Sequence, residues 1–390
     1  MKNWIFYILT IFTSVLILVI GHFVFVNSTT VYNNEYDDYI LTNYRARVIE
    51  IFSIEDEQFQ ISIDIYGQPI YADMRQIIFT ANLTSTNDNR QILARQIITD
   101  IAEIPTRQVA EGDIVLLQLD SGLQVFELIG FVRIHYIIIF AVIIFALIII
   151  FGRMQGFNSI VALALIIAAI FMVFIPAILS GANIYIAALL VCVYSIITTL
   201  LIVIGPTKKS ISTMVGCLIS VACTAVIVLI MDNILGLTGL VDSYAYSINV
   251  LILNDSSDLR AIIFAGIVIG SVGAIMDVCM SISSSLWEVS KTGGNNFNDL
   301  YKSGINIGKD ILGTMANTLV LAYIGSSITI TMLIITNFVN VLDIFHDEMI
   351  IQELLRSLVG IFGIFLAIPI TTVVCAFLYT KKQVSGTTNA

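Results

Sequence analysis

Asp277 is the residue from which chemistry is most readily drawn, because it is an acid set inside an apolar run. A carboxylate in that setting needs a partner, a proton or a bound cation. Continued as a helix, Asp277, Ser281, Ser284 and Glu288 recur at i, i+4, i+7 and i+11 and so share one face. Further along, Asp310, Thr314 and Asn317 repeat the pattern, with Thr318 beside them. Two such polar stripes within hydrophobic runs describe a track along which a proton or cation could pass. The alternative is that Asp277 marks the inner membrane interface while the hydroxyls bond back to their own helix carbonyls.

The runs that must position these residues are membrane spans. Of 390 residues, 58% are hydrophobic and only 12% charged, with a mean hydropathy of +0.95. Soluble domains carry roughly 25% charged residues. Eight apolar runs are visible, at 4–26, 134–151, 157–179, 183–204, 211–231, 261–282, 311–336 and 357–379. Each approaches the roughly 20 residues that cross a hydrocarbon core. The expected fold is an α-helical polytopic membrane protein of about eight spans, with a small β-rich domain between the first two. The first run, 1–26, reads as an uncleaved signal anchor, since no small-x-small cleavage pattern follows it. Residues 27–133 form the extracytoplasmic domain, 134–380 a seven-helix core and 381–390 a tail. The second to fifth spans look nearly featureless and structural. Pro369, followed by Thr371 and Thr372, marks a kink and candidate hinge in the last span.

Basic residues orient the chain. With both termini cytoplasmic, every lysine falls inside, from Lys2 to Lys381 and Lys382. The short outer loops keep only Arg260 and Arg356, at helix ends, beside acids such as Asp232, Asp242, Asp255, Asp343 and Glu353. Residues 27–133 are then outside. Gly266 and Gly270 in GxxxG spacing, extended by Gly273, predict a close helix contact on the sixth span. The sixth and seventh spans run antiparallel, so Asp277 can face Thr314 and Asn317.

The outer segment reads as strands at 44–51, 60–65, 76–83, 112–119 and 124–134, with an Asp120-Ser121-Gly122 turn and a helix around 88–98. That pattern suggests an OB-like or SH3-like barrel. Arg45, Arg47, Arg75, Arg90, Arg95 and Arg107 invite an anionic ligand, yet acidic neighbours favour ordinary solvated strands. All five cysteines lie in apolar runs, without metal spacing. His346 in its acidic loop reads as solvated rather than as a cation site. Walker A, GxSxG and HExxH motifs are absent, and Gly293-Gly294 reads as a flexible loop, so no enzyme, cofactor, metal or nucleic-acid role is expected.

Three ordered stretches resemble the YibE/F-like family of bacterial membrane proteins. These are 273–286, with Gly273, Ala274, Asp277 and Ser281; 307–323, with Gly308, Asp310, Gly313, Thr314, Asn317 and Tyr323; and 353–372, with Gly360, Pro369 and Thr371. Cys279 departs from the family's more usual Ala. The resemblance covers about 134–379. It implies a multi-pass protein of the bacterial cytoplasmic membrane, in the longer subfamily with an outer domain. It also implies pairing with a shorter paralogue or with itself. Two functional readings follow: a transporter or permease component with its polar site between the sixth and seventh spans, or a non-catalytic scaffold or sensor whose outer domain binds an envelope partner. The residues name no substrate, and an intramembrane enzyme ranks third because no nucleophile–base pair is visible.

Overall fold

The computed structural model describes residues 2–26, 43–63, 69–84, 90–99, 107–120, 125–240, 256–292, 296–337 and 346–380. The Ser121-Gly122 turn, Gly293-Gly294, the acids Asp242, Asp255 and Asp343, and the tail 381–390 lie outside the described residues. The chain divides into two compact units, Asn34–Leu147 and the remainder.

In the first unit, alternation of apolar and polar residues produces strands β1 (Asn43–Ile63), β2 (Pro69–Leu83), β3 (Gln91–Thr99), β4 (Ile114–Asp120) and β5 (Val125–Phe131). They close as β1-β2-β3-β5-β4, with β4 returning to β1 and β3 parallel to β5. That closure is a five-stranded Greek-key barrel of the OB type. Ala46, Val48, Ile77, Phe79, Ala81, Ala94, Val115 and Leu117 fill its interior. Small residues on β1, β2 and β3 leave room for Phe79. The buried Gln96 is satisfied: its Nε2 donates to Arg107 O at 2.8 Å and its Oε1 accepts from Val109 N at 2.8 Å. Gly112, at φ 87°, makes the turn into β4 and donates its N–H to Val48 O. The helix expected around 88–98 is instead β3. Its Ile92, Ala94 and Gln96 face inward on a two-residue period, which a helix would scatter.

The second unit begins with helix α1 (Lys2–Val26). Helix α2 (Ile134–Ala169) is broken at Arg153, whose φ of 48° and ψ of −128° belong to no helix. Gly156 follows, where any Cβ would collide with the Ile148 carbonyl oxygen. This reversal separates the second and third predicted runs. A π-helical turn (Ile170–Phe174) leads into α3 (Ile175–Leu179). There follow α4 (Ile184–Val203), α5 (Lys208–Leu235), α6 (Ser256–Lys291), α7 (Phe297–Ser326), α8 (Ile328–Asn337) and α9 (Glu348–Tyr379). Thr207 and Asp347 cap α5 and α9 by accepting backbone N–H groups, and Gly236 ends α5 in the left-handed conformation.

Among the described residues, six helical segments are long and apolar enough to cross a membrane, one of them the broken stretch Ile134–Leu179. The predicted run 311–336 does not form one helix. Its chain is divided at Ser327 between α7 and α8, and α7 starts earlier, in polar sequence, at Phe297. α9 continues as one helix through Pro369.

α9 packs against α5, α6 and α7 together, while α6 also meets α4 and α5. Glycines set these approaches. A Cβ on Gly216 would collide with Thr371 Oγ1, and one on Gly308 with Ile368 Cγ2. One on Gly304 would lie 2.5 Å from Thr372 Cγ2, and one on Gly363 2.7 Å from Ile275 Cδ1. α1 belongs to the same unit: Leu18 is buried, and His22 Nδ1 lies 3.1 Å from the Met172 carbonyl oxygen in the π-helical turn.

Candidate functional site

α6 has two unlike faces. Val268, Ile275, Cys279, Ile282, Ser283 and Leu286 are buried against the bundle. Gly266, Gly270, Gly273, Asp277 and Ser281 are exposed, at steps of four, three, four and four residues. Those steps keep all five on a single stripe. Among the described residues the glycine stripe makes no contact closer than 3.6 Å from an added Cβ. Gly270 approaches only the Tyr323 hydroxyl, at 3.6 Å from an added Cβ, and Gly273 meets nothing within 4 Å. The close contacts belong to Gly216, Gly304, Gly308 and Gly363 instead.

Two contacts set the antiparallel register of α6 and α7. A Cβ on Gly304 would lie 2.9 Å from Leu286 Cδ1, and Gly270 faces Tyr323. Asp277 sits near the middle of the interval between Gly270 and Leu286. Residues 313–317 sit near the middle of the interval between Gly304 and Tyr323. The carboxylate is thus level with Thr314 and Asn317, both on the exposed side of α7 with Asp310. Among the described residues, no hydrogen bond or ion pair joins these polar side chains to Asp277 or to one another. The Thr314 hydroxyl donates to Ile311 O at 3.0 Å and that of Thr318 to Thr314 O at 2.9 Å, satisfying their donors within the helix. Ser284 is half-buried at the edge of the α6 stripe. Asp277 lies 14 residues from Lys291, about 21 Å along the axis, within the span Leu259–Lys291. Among the described residues it has no hydrogen-bond or ion-pair partner. Such a carboxylate demands water, a proton or a cation in its place.

One end of the stripe is closed by charge. Arg356 Nη1 donates to Glu353 Oε1 at 2.9 Å, and Gly266 leaves space beneath the guanidinium, whose Nη2 is 3.9 Å from where a Cβ would stand. Arg356 Nε and Glu353 Oε2 are both buried without a hydrogen-bond partner. Arg260 and Asp232 pair at 2.7 Å between α6 and α5.

The buried face of α6 holds a hydroxyl network with no counterpart among the sequence-predicted site residues. The hydroxyls of Ser212 (α5), Ser283 (α6) and Tyr379 (α9) lie 2.5 to 2.9 Å apart. The Lys209 carbonyl oxygen accepts from both serines. The Trp287 ring stands edge-on to Tyr379, with centroids 5.1 Å apart, and the Thr371 hydroxyl donates to Cys279 Sγ at 3.1 Å. The fifth span is accordingly not featureless. Ser212, Gly216, Ser220 and Thr224 recur every four residues, all buried. That period was the available signal. It was hidden because hydroxyls and glycine lower hydropathy only slightly when the remaining positions are aliphatic.

The sequence profile of the YibE/F-like protein family matches residues 140–381. The chain belongs to the YibE/F-like family. The match takes in most of the second unit, from within α2 through α9, and includes the α6 stripe, α7 and the buried hydroxyl network. No curated protein and no solved structure matches the chain. The barrel lies before the matched region.

Proposed function

We propose that this YibE/F-like membrane protein is a transporter or permease component whose path runs along the exposed face of α6 and α7, with Asp277 as its proton- or cation-coupled carboxylate. The single observation that carries the reading is Asp277 itself, unpartnered among the described residues and level with Thr314 and Asn317. Gly273, the nearest glycine to it on the stripe, leaves the surface beside it clear, as a path requires and a packing contact does not. Ser281 and Asp310 extend the polar surface toward the end where Lys209, Lys291 and Lys302 lie, which we read as cytoplasmic. The Arg356–Glu353 pair closes the opposite end. The protein is not an enzyme in this reading. Asp277→Asn keeps the shape and removes the titratable charge. Proteoliposomes bearing it should lose pH-driven solute or ion flux while retaining wild-type insertion; undiminished flux would overturn the proposal.

A second reading has its own support, in the barrel. Phe52 and Ile54 on β1 are 75% and 54% exposed, an apolar edge on the strand's open surface. Such an edge suits a protein partner, either an envelope protein or a shorter paralogue. Changing both to Ser should abolish a crosslink to that partner in intact membranes, leaving flux untouched. Persistence of the crosslink would remove this edge from consideration.

A further inference from the structure

The barrel joins α2 through a short connection: Val132 N donates to Ile114 O at 2.9 Å, and the apolar span begins at Ile134. His135, the second residue of that span, is hydrogen-bonded to Arg45 Nη2 on β1. In a bilayer the first residues of a spanning helix sit at the level of the lipid headgroups. The Arg45–His135 bond therefore fixes this end of the barrel at headgroup level.

A depression of about 270 Å³ opens there, lined by Arg45, Arg47, Asn82, Thr84 and Ile114. The strand register explains why these residues converge. Ala46 points into the barrel, so its neighbours Arg45 and Arg47 both point out. Arg47 is paired across the ladders with Asn82 on β2 and Ile114 on β4. Thr84 reaches Arg45 from the side, donating both its N–H and its hydroxyl to the Arg45 carbonyl oxygen. Among the described residues the charge is not cancelled locally. Among the described residues Arg47 has no ion-pair partner, and the nearest acid in sequence to Ile114, Asp113, is held by Arg107 at 2.6 Å. Asn82 Oδ1 is buried without a hydrogen-bond partner. With that oxygen turned inward, the Asn82 amide NH₂ is the group left to face the depression.

We propose that Arg45, Arg47 and Asn82 form a binding site for the phosphate of a membrane phospholipid headgroup. Two guanidinium groups offer the planar donor fork that matches phosphate oxygens, and an amide donor completes the set. The position selects the source: a lipid phosphate is present at this level at high local concentration, whereas a soluble anion must be captured from bulk. The proposal stands apart from the transport reading, since it involves neither α6 nor α7.

The test uses the full-length protein, delipidated in detergent, and native mass spectrometry with dioctanoyl phosphatidylglycerol as the probe. The wild type should hold one lipid more tightly than the rest. The R45A/R47A double variant should weaken that binding at least about tenfold. Asn82→Asp, which keeps the shape and adds a negative charge, should do the same. Arg75→Ala, on the far part of the β1–β2 hairpin where Arg75 is paired with Asp56, should leave it unchanged. Circular dichroism of each variant establishes that the barrel is intact. Equal lipid retention by the wild type and both site variants would overturn the site. Inorganic phosphate or glycerol 3-phosphate binding as tightly as the lipid would overturn the assignment to a headgroup.

Discussion

The two faces of α6 use nearly the same residue types for opposite ends. On one, Ser271, Cys279 and Ser283 are buried and small, and they let α5 and α9 approach closely enough for hydroxyls to bond between helices. On the other, Gly273 faces open space, Gly266 and Gly270 meet only loose contacts with Arg356 and Tyr323, and Ser281 is exposed beside Asp277. In a membrane, helices gain little from burying apolar surface against one another, since lipid is as apolar as leucine. Small residues then serve either to bring backbones together or to keep a surface clear. What separates the two uses is the neighbour across the gap and not the residue.

Substitutions that fill each kind of space should break the comparison apart. The largest effect is expected where glycine makes contact. Gly308→Leu drives a side chain into Ile368 on α9, and overpacking of this kind costs about 1–3 kcal/mol or more. Recovery of monodisperse protein by size-exclusion chromatography should collapse, and near-normal recovery would show that α7 does not lie so close to α9. Tyr379→Phe comes next. It removes one hydroxyl from a satisfied network, a loss of about 1 kcal/mol or less in a membrane setting. A modest fall in unfolding temperature with unaltered flux is the expected pair of readings. Gly273→Leu should cost the fold least, because nothing lies within 4 Å of the new Cβ. Its effect should fall on flux, by narrowing the surface beside Asp277. Lost folding would mean that this face is packed after all.

Much of this arrangement was legible in the sequence. The apolar runs located the helices because an unbroken hydrophobic stretch of that length has few other uses. Alternation in the segment before α2 located most strands and supported a barrel. Sequence and structure part where a local pattern supports two structures. Residues 88–98 hold enough polar residues to look helical, and only pairing with β2 and β5 makes Ala94 and Gln96 interior. Likewise Ser281, Ser283 and Ser284 are near neighbours on one helix. Helical spacing groups Ser281 and Ser284 with Asp277, and Ser281 is exposed with it. Nothing local said that Ser283 would meet Ser212, or Tyr379 far along the chain. Pairs so distant become visible only once the helices are assembled.

α9 has a consequence for the order of assembly. It is made after the other described helices, yet α5, α6 and α7 all lean on it. Synthesis delivers helices in sequence, so each earlier one must wait in the bilayer for its partner. Until Thr371 and Tyr379 arrive, the seryl and threonyl row of α5 and the notches at Gly304 and Gly308 have only lipid to fill them. The C-terminal helix is in this sense a keystone. A chain cut before Glu348 would keep most of its spans and lose the element that locks them into one body.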